Sequence, residues 1–278
     1  MGVRLNRARA SPGFMNLFDT HAHLDFPPFD RDRAELLAAL RVEGVAVLNV
    51  GVDLRSSEAA LELARGHGHV FASSGLHPHD AKAFTPELEA RLAGLLRQGA
   101  VAVGECGLDF YRDLSPHEVQ IEAFRSQLRL AKRLALPVIL HERAAWDPFL
   151  QLLRAERPPR GVVHGFGGDE SRAQEIVGLG LHLGIGGPLT YRRNDALRQA
   201  AAAIPLERIL LETDSPYLPP EPFRGQRNDP GKVRLVAERL AALRGIPVPE
   251  LAEVTWESAC RLFSVHPSFG PSPAGHGM

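Results

Sequence analysis

Short apolar runs alternate with longer segments of helical periodicity along nearly the whole chain. The runs are Leu17–Thr20, Val45–Val50, Val70–Ser73, Val101–Gly104, Pro137–Leu140, Gly161–Val163, Leu181–Ile185 and Ile209–Leu211. Each is continuous rather than alternating, as expected of strands buried on both faces. Helices are predicted between them over Arg31–Arg41, Ser56–Arg65, Pro86–Arg97, Glu118–Leu134, Trp146–Ala155, Ser171–Leu179 and Arg193–Ala203. Arg33, Leu36, Leu37 and Leu40 fall on one helical face, as do Phe124, Leu128, Ala131 and Leu134. Two more helices follow, one from Pro230 to Arg244 behind an Asn228-Asp229 cap and one from Pro249 to Phe263.

Eight strands alternating with helices predict an α/β chain folded as one (β/α)₈ TIM barrel over residues 16–265. The competing architecture, an open doubly wound sheet, lacks its usual glycine-rich phosphate loop, because Gly184-Ile185-Gly186-Gly187 runs into Pro188. Residues 1–15 read as a disordered extension or a misassigned start, with Met15 as the alternative initiator. Residues 266–278 read as a flexible tail.

Composition narrows the function. A 44% apolar fraction supports a sizeable core, and no apolar run approaches a membrane span. Cys106 and Cys260 make neither a disulfide framework nor a metal-type pair, so a reducing, cytoplasmic setting is expected. The net charge of −1 excludes binding of nucleic acid through a global positive field. Contacts to phosphate must come from local arginines, backbone amides or a bound cation.

Barrel chemistry sits at the carboxyl ends of the strands. His21 and His23 lie at the end of the first, and two imidazoles spaced i, i+2 on a strand share a face. Glu105 follows the fourth strand, His141 the fifth, His164 the sixth and Asp214 the eighth. A lone histidine after a strand is more often structural than a ligand. Four histidines and two carboxylates on one rim, from five strands, instead suggest a site for two divalent cations. His21, His23 and Asp214 would serve one ion and His141 and His164 the other, with Glu105 between them. Mixed imidazole and carboxylate ligation suits Zn²⁺ or Mn²⁺, with Mg²⁺ also allowed where substrate completes the shell.

Read in order, several blocks resemble the TatD family of metal-dependent deoxyribonucleases. They are Asp19-Thr20-His21-Ala22-His23-Leu24-Asp25, Gly75-Leu76-His77-Pro78-His79, Gly104-Glu105-Cys106-Gly107-Leu108-Asp109, His141-Glu142-Arg143, His164-Gly165-Phe166 and Leu211-Glu212-Thr213-Asp214-Ser215-Pro216. Arg224-Gly225-Gln226-Arg227-Asn228-Asp229-Pro230 resembles that family's loop after the last strand. The resemblance runs from about Leu17 to Phe263. It implies a TIM barrel that hydrolyses phosphodiester bonds as a 3′-to-5′ exonuclease on single-stranded DNA or RNA ends. It also implies metal ligands at His21, His23, Glu105, His141, His164 and Asp214. By physical role, the Asp214 carboxylate is also placed to accept a proton from the attacking water, and Asp214 and Glu105 are the expected catalytic residues. The chain departs from the family at Gly167, where serine is common, and at Ser258, where asparagine is usual.

Further positions carry weaker expectations. His77, Arg143, Tyr111 and Arg227 are candidate substrate contacts, and Asp109 a pocket-lining residue. Asp19 and Asp25 are read as loop-positioning groups. Glu212, Cys106 and His117 are read as structural, and His67, His69 and His182 as solvent-facing or at the opposite barrel end. A monomer is assumed. The competing functions are a small-molecule amidohydrolase, a deacylase of mischarged transfer RNA, and a non-catalytic scaffold. No lysine ends any strand, which disfavours the amidohydrolases that bridge two metals through a modified lysine.

Overall fold

A computed structural model describes residues 15–270. Eight parallel strands lie in the order of the sequence. They are β1 (Leu17–Ala22), β2 (Val45–Asn49), β3 (Val70–Ser74), β4 (Ala102–Asp109), β5 (Val138–Arg143), β6 (Gly161–Val163), β7 (His182–Ile185) and β8 (Ile209–Leu211). Between and after them run α1 (Arg33–Glu43), α2 (Leu54–Gly66), α3 (Pro86–Arg97), α4 (His117–Leu134), α5 (Trp146–Glu156), α6 (Glu170–Gly178), α7 (Asp195–Ala203), α8 (Val233–Arg244) and α9 (Val248–Phe263). The ring closes beyond the end of β8, where the Asp214 N–H donates to the His21 carbonyl and the His23 N–H to the Ser215 carbonyl, each at 2.8 Å. The predicted (β/α)₈ barrel is the observed fold. Among the described residues no helix is long and apolar enough to cross a membrane.

Burial divides the strand residues into two sets. Leu17, Val45, Val47, Val103, Val138, Leu140 and Val163 pack outward against the helices. Phe18, Ala46, Leu48, Ala102, Ile139, Val162 and Leu210 fill the barrel interior, which Leu262 and Phe263 of α9 close from below. Two strands break their own alternation. Between Asp19 and Ala22, β1 carries one residue more than β2 does between Val47 and Asn49. Likewise β4 spends three steps from Val103 to Cys106 where β5 spends two, from Val138 to Leu140. Each is a β-bulge, and each reverses which residues face inward above it. The upper part of the barrel therefore receives His21, His23 and Glu105.

Local chemistry accounts for the helix starts. Asp53 and Ser56 form a reciprocal capping box on α2, while the side chains of Thr85 and Asp169 cap α3 and α6. The expected Asn228-Asp229 cap is not what these residues do. A short 3₁₀ turn, Pro230–Lys232, precedes α8, and Asp229 pairs with Lys232. Asn228 is fully buried and its amide donates to the carbonyls of Thr213 and Tyr217 at 2.9 and 2.7 Å. It ties down the loop that carries Asp214.

Two other expectations need correction. The tail is packed at least as far as Phe269: the Ser268 N–H donates to the Gly68 carbonyl at 2.8 Å, and Phe269 lies beside His69 and Trp256. Residues 271–278 of that tail, and residues 1–14 of the extension, lie outside the described residues. His69 does sit at the amino end of the strands, but it is buried, not solvent-facing, with Nε2 3.1 Å from the Leu37 carbonyl.

Burial first, and then the neighbouring His67, lower the His69 pKa to about 4 from an ordinary 6.5. Between those values the unfolded chain binds a proton that the folded one does not. The stability from a neutral His69 is therefore complete above about pH 6.5 and is lost as the pH falls toward about 4. Urea midpoints for His69→Gln should fall less over this range than those of wild type. Parallel curves for the two proteins would contradict the assignment.

Candidate metal centre

Six side chains meet at the top of the barrel around one buried carboxylate. Glu105 Oε1 lies 2.7 Å from His164 Nε2, 3.0 Å from His141 Nδ1 and 3.5 Å from His77 Nε2. Glu105 Oε2 lies 3.3 Å from His21 Nε2. Asp214 Oδ1 faces His23 Nε2 at 3.5 Å and His21 Nε2 at 3.9 Å. The six predicted ligands thus come together, with His77 as a seventh member pressed against the central carboxylate.

Backbone geometry aims these groups. Gly104 and Gly107 flank the Glu105 bulge with φ of 143° and 152°, and a Cβ on Gly107 would lie 1.9 Å from the His141 carbonyl oxygen. Only glycine permits β4 to approach β5 this closely. Asp214 adopts a left-handed backbone, φ 56°, in a turn closed by the Tyr217 N–H donating to its carbonyl at 2.8 Å. Aspartate tolerates that conformation better than most side chains.

Neighbouring groups select which ring nitrogen faces the centre. His23 Nδ1 is 3.0 Å from the Val50 carbonyl, so it carries the proton and leaves Nε2 directed at Asp214. His141 Nε2 is 3.4 Å from Asp109 Oδ2, which directs Nδ1 toward Glu105 and His164. Asp109 also holds His79 Nε2 at 2.8 Å and accepts the backbone N–H groups of Tyr111 and Arg112. Asp19 accepts the Thr213 N–H at 2.8 Å and Asp25 the Asn49 amide at 3.1 Å, bracing the loops on either side of the cluster.

The electrostatics describe a donor set that draws positive charge. Burial alone would lower His23 and His141, yet Asp214 carries the first up to about 9, and Asp109 with Glu105 the second to the same value. Burial would raise Glu105, but the surrounding imidazoles hold it well below the usual carboxylate range. Buried His21 falls to about 4, and among the described residues neither ring nitrogen makes a well-directed hydrogen bond, although Nε2 lies 3.3 Å from Glu105 Oε2. Nitrogen lone pairs and carboxylate oxygens converge, and one buried imidazole is left without a well-directed hydrogen bond. This set fits divalent cations, which would displace the protons that otherwise neutralise it.

The cluster opens into a cleft of about 630 Å³ bordered by Phe26, Arg112, Leu114, Arg143 and Tyr217. A second lobe of about 450 Å³, also reaching His141, His164, Asp214 and Arg143, adjoins it. Among the expected substrate contacts, Arg143 lines both lobes and lies 4.0 Å over the ring of Tyr111, itself exposed on the rim. Arg227 is a correction. Its guanidinium is bidentate to Asp32 at 2.6 and 2.7 Å and reaches the Pro28 carbonyl, which engages both terminal nitrogens, and it lines neither lobe. Glu212, read as structural, faces inward beneath the cluster, accepting the Gly165 N–H at 2.6 Å with burial raising its pKa to about 7.

The sequence profile of the family described as TatD related DNase matches residues 18–264. The metal-dependent hydrolase YabD of Bacillus subtilis is 38% identical over 254 residues, covering 90% of this chain and 100% of its own. The 3′-5′ ssDNA/RNA exonuclease TatD of Cronobacter sakazakii is 41% identical over 256 residues, 89% of this chain and 97% of its own. Among solved structures, the TatD homologue YjjV of Escherichia coli superposes with a TM-score of 0.85 at 37% identity, covering 91% of this chain and 99% of that one.

Because four imidazoles converge on Glu105, its loss should cost the most metal. Glu105→Gln, incubated with excess Mn²⁺ and then desalted, should retain less than half the metal of wild type by elemental analysis. Its far-UV circular dichroism should be unchanged. Full retention would show that Glu105 is not the central ligand.

Proposed function

The chain belongs to the TatD family of metal-dependent hydrolases, and from that membership and the cluster's geometry we propose that it removes nucleotides from the 3′ ends of single-stranded DNA or RNA. We further assign two divalent cations, Mg²⁺, Mn²⁺ or Zn²⁺, to the cluster: one with His21, His23 and Asp214, the other with His141 and His164, and Glu105 reaching both. Bound there, they would polarise phosphoryl oxygens and make a water more acidic. The remaining tasks belong to the chain's own side chains.

The observation that carries this reading is the division of labour between the two carboxylates. Both line the cleft, but the Glu105 side chain is only 4% exposed, whereas that of Asp214 is 17% exposed. Of the two, Asp214 is the better placed to meet a water and a substrate together. Burial would raise its pKa, but the hydrogen bond from His23 and the nearby imidazoles hold it below the usual range. It is therefore ionised and able to accept the proton of an attacking water. His77, with Nε2 3.5 Å from Glu105 Oε1, steadies that carboxylate and also lines the cleft, within reach of substrate.

At the rim, the planar donors of Arg143 suit a phosphate oxygen, and stacking on Tyr111 restrains them. The exposed rings of Tyr111 and Tyr217 offer faces to unpaired bases. A groove that engages strand ends through a few local contacts suits a protein with a net charge of −1. None of the three lysines, at 82, 132 and 232, lies on a strand or lines either lobe of the cleft, which favours nuclease chemistry over amidohydrolases that bridge two metals through a modified lysine. Two free cysteines suit action in the cytoplasm.

A 5′-labelled single strand incubated with Mg²⁺ or Mn²⁺ should shorten stepwise from its 3′ end, and a chelator should stop it. Asp214→Asn should lower kcat by at least about a hundredfold, the range for loss of a general base. Equal rates for variant and wild type would remove Asp214 from the mechanism. Turnover of a small ester or lactone with no cut strand would assign the amidohydrolase function instead. Release of an amino acid from mischarged transfer RNA would assign the deacylase.

A further inference from the structure

Several arginines of this protein are spent on carboxylates, among them Arg33 on Asp30, Arg91 on Glu58, Arg129 on Glu156, Arg154 on Glu175 and Arg227 on Asp32. Arg172 is not. It is exposed near the start of α6, its guanidinium lies 4.8 Å over the ring of Trp146, and no acidic side chain pairs with it among the described residues. Trp146 is held from behind by Phe149, with ring centroids 6.2 Å apart. A guanidinium laid on a fixed indole keeps its in-plane N–H donors free while losing much of its rotational freedom. This is a prepared anion contact.

Its position decides what the anion is. Arg172 and Trp146 line the second lobe of the cleft, the one that also reaches His141, His164 and Asp214. The same two residues, with Glu142 and Ala144, line a further hollow of about 330 Å³. The second lobe and this hollow therefore adjoin at Arg172 and Trp146. The first lobe, with Phe26 and Tyr217, lies on the other side of the shared residues. A strand cut near its end needs one compartment for the released nucleotide and one open path for the retained strand.

We propose that Arg172, positioned by Trp146, binds a backbone phosphate of the strand retained after cleavage, forming a subsite beyond the scissile bond. The inference rests on the nuclease reading above. It makes long strands better substrates than dinucleotides, because only a long strand reaches Arg172.

The test compares oligothymidylates with a dinucleotide for the metal-loaded wild-type protein, Arg172→Ala and Arg172→Lys, with strand affinity read separately on the Asp214→Asn background. Arg172→Ala should shrink the advantage in kcat/KM of the long strand over the dinucleotide about three- to tenfold, the usual cost of one partly exposed charged contact. It should also make the dependence of log affinity on log salt shallower by about 0.7, one phosphate on a single strand. Arg172→Lys should restore the salt slope but only part of the advantage, since lysine keeps the charge and loses the stacked plane. Trp146 and Trp256 are the two tryptophans, and Trp256 packs near Phe18 at the far end of the barrel. Strand binding should therefore change intrinsic fluorescence in the parent protein and not in Trp146→Phe. If wild type cuts strands while Arg172→Ala keeps the length advantage and the salt slope, the subsite is wrong and the nuclease reading stands. If wild type neither cuts nor binds a strand, both fall.

Discussion

The structure depends on keeping one carboxylate, Glu105, ionised inside a protein. Moving a bare carboxylate out of water costs several kcal/mol even after the surroundings relax, at least about that much per ion. Here four imidazoles from β1, β5, the loop after β3 and the end of β6 face its two oxygens. Such an arrangement is stable only with added positive charge, whether from protons on the rings or from cations. Asp109 and Val50 then fix which ring nitrogens remain available. The same electrostatic demand that makes the cluster costly makes it a strong trap for metal.

Meeting that demand required breaking strand regularity. On an unbroken β1, the inward parity of Phe18 would turn His21 and His23 out toward the helices. On an unbroken β4, the parity of Ala102 would do the same to Glu105. One extra residue in each strand reverses the alternation above the apolar core. The barrel can thus pack Phe18, Leu48 and Ile139 below and point its chemistry inward above. On β5, β6 and β8 no bulge is needed, since Ile139, Val162 and Leu210 already share parity with His141, His164 and Asp214. The cleft chemistry follows the same separation, with the nearly sealed Glu105 below, the half-buried Asp214 above it and the exposed Arg143 and Tyr217 at the rim.

The chain alone determined the strand and helix sequence, the barrel and the six polar side chains that converge at its top. Continuous apolar runs and helical spacing are local patterns, and polar residues just after buried strands stand out against them. Strand ends were less legible: β1, β4 and β5 run on to Ala22, Asp109 and Arg143 because pairing with neighbours continues past the apolar run. Tertiary structure alone decided the bulges, because register depends on a partner strand that no local pattern reports. It also decided that Arg227 serves Asp32, that Asn228 ties down a loop rather than capping a helix, and that His69 is buried. Each of these turns on a partner distant in sequence or on an enclosure made by several elements. A residue's type states which bonds it can make; only the folded chain states which partner arrives first.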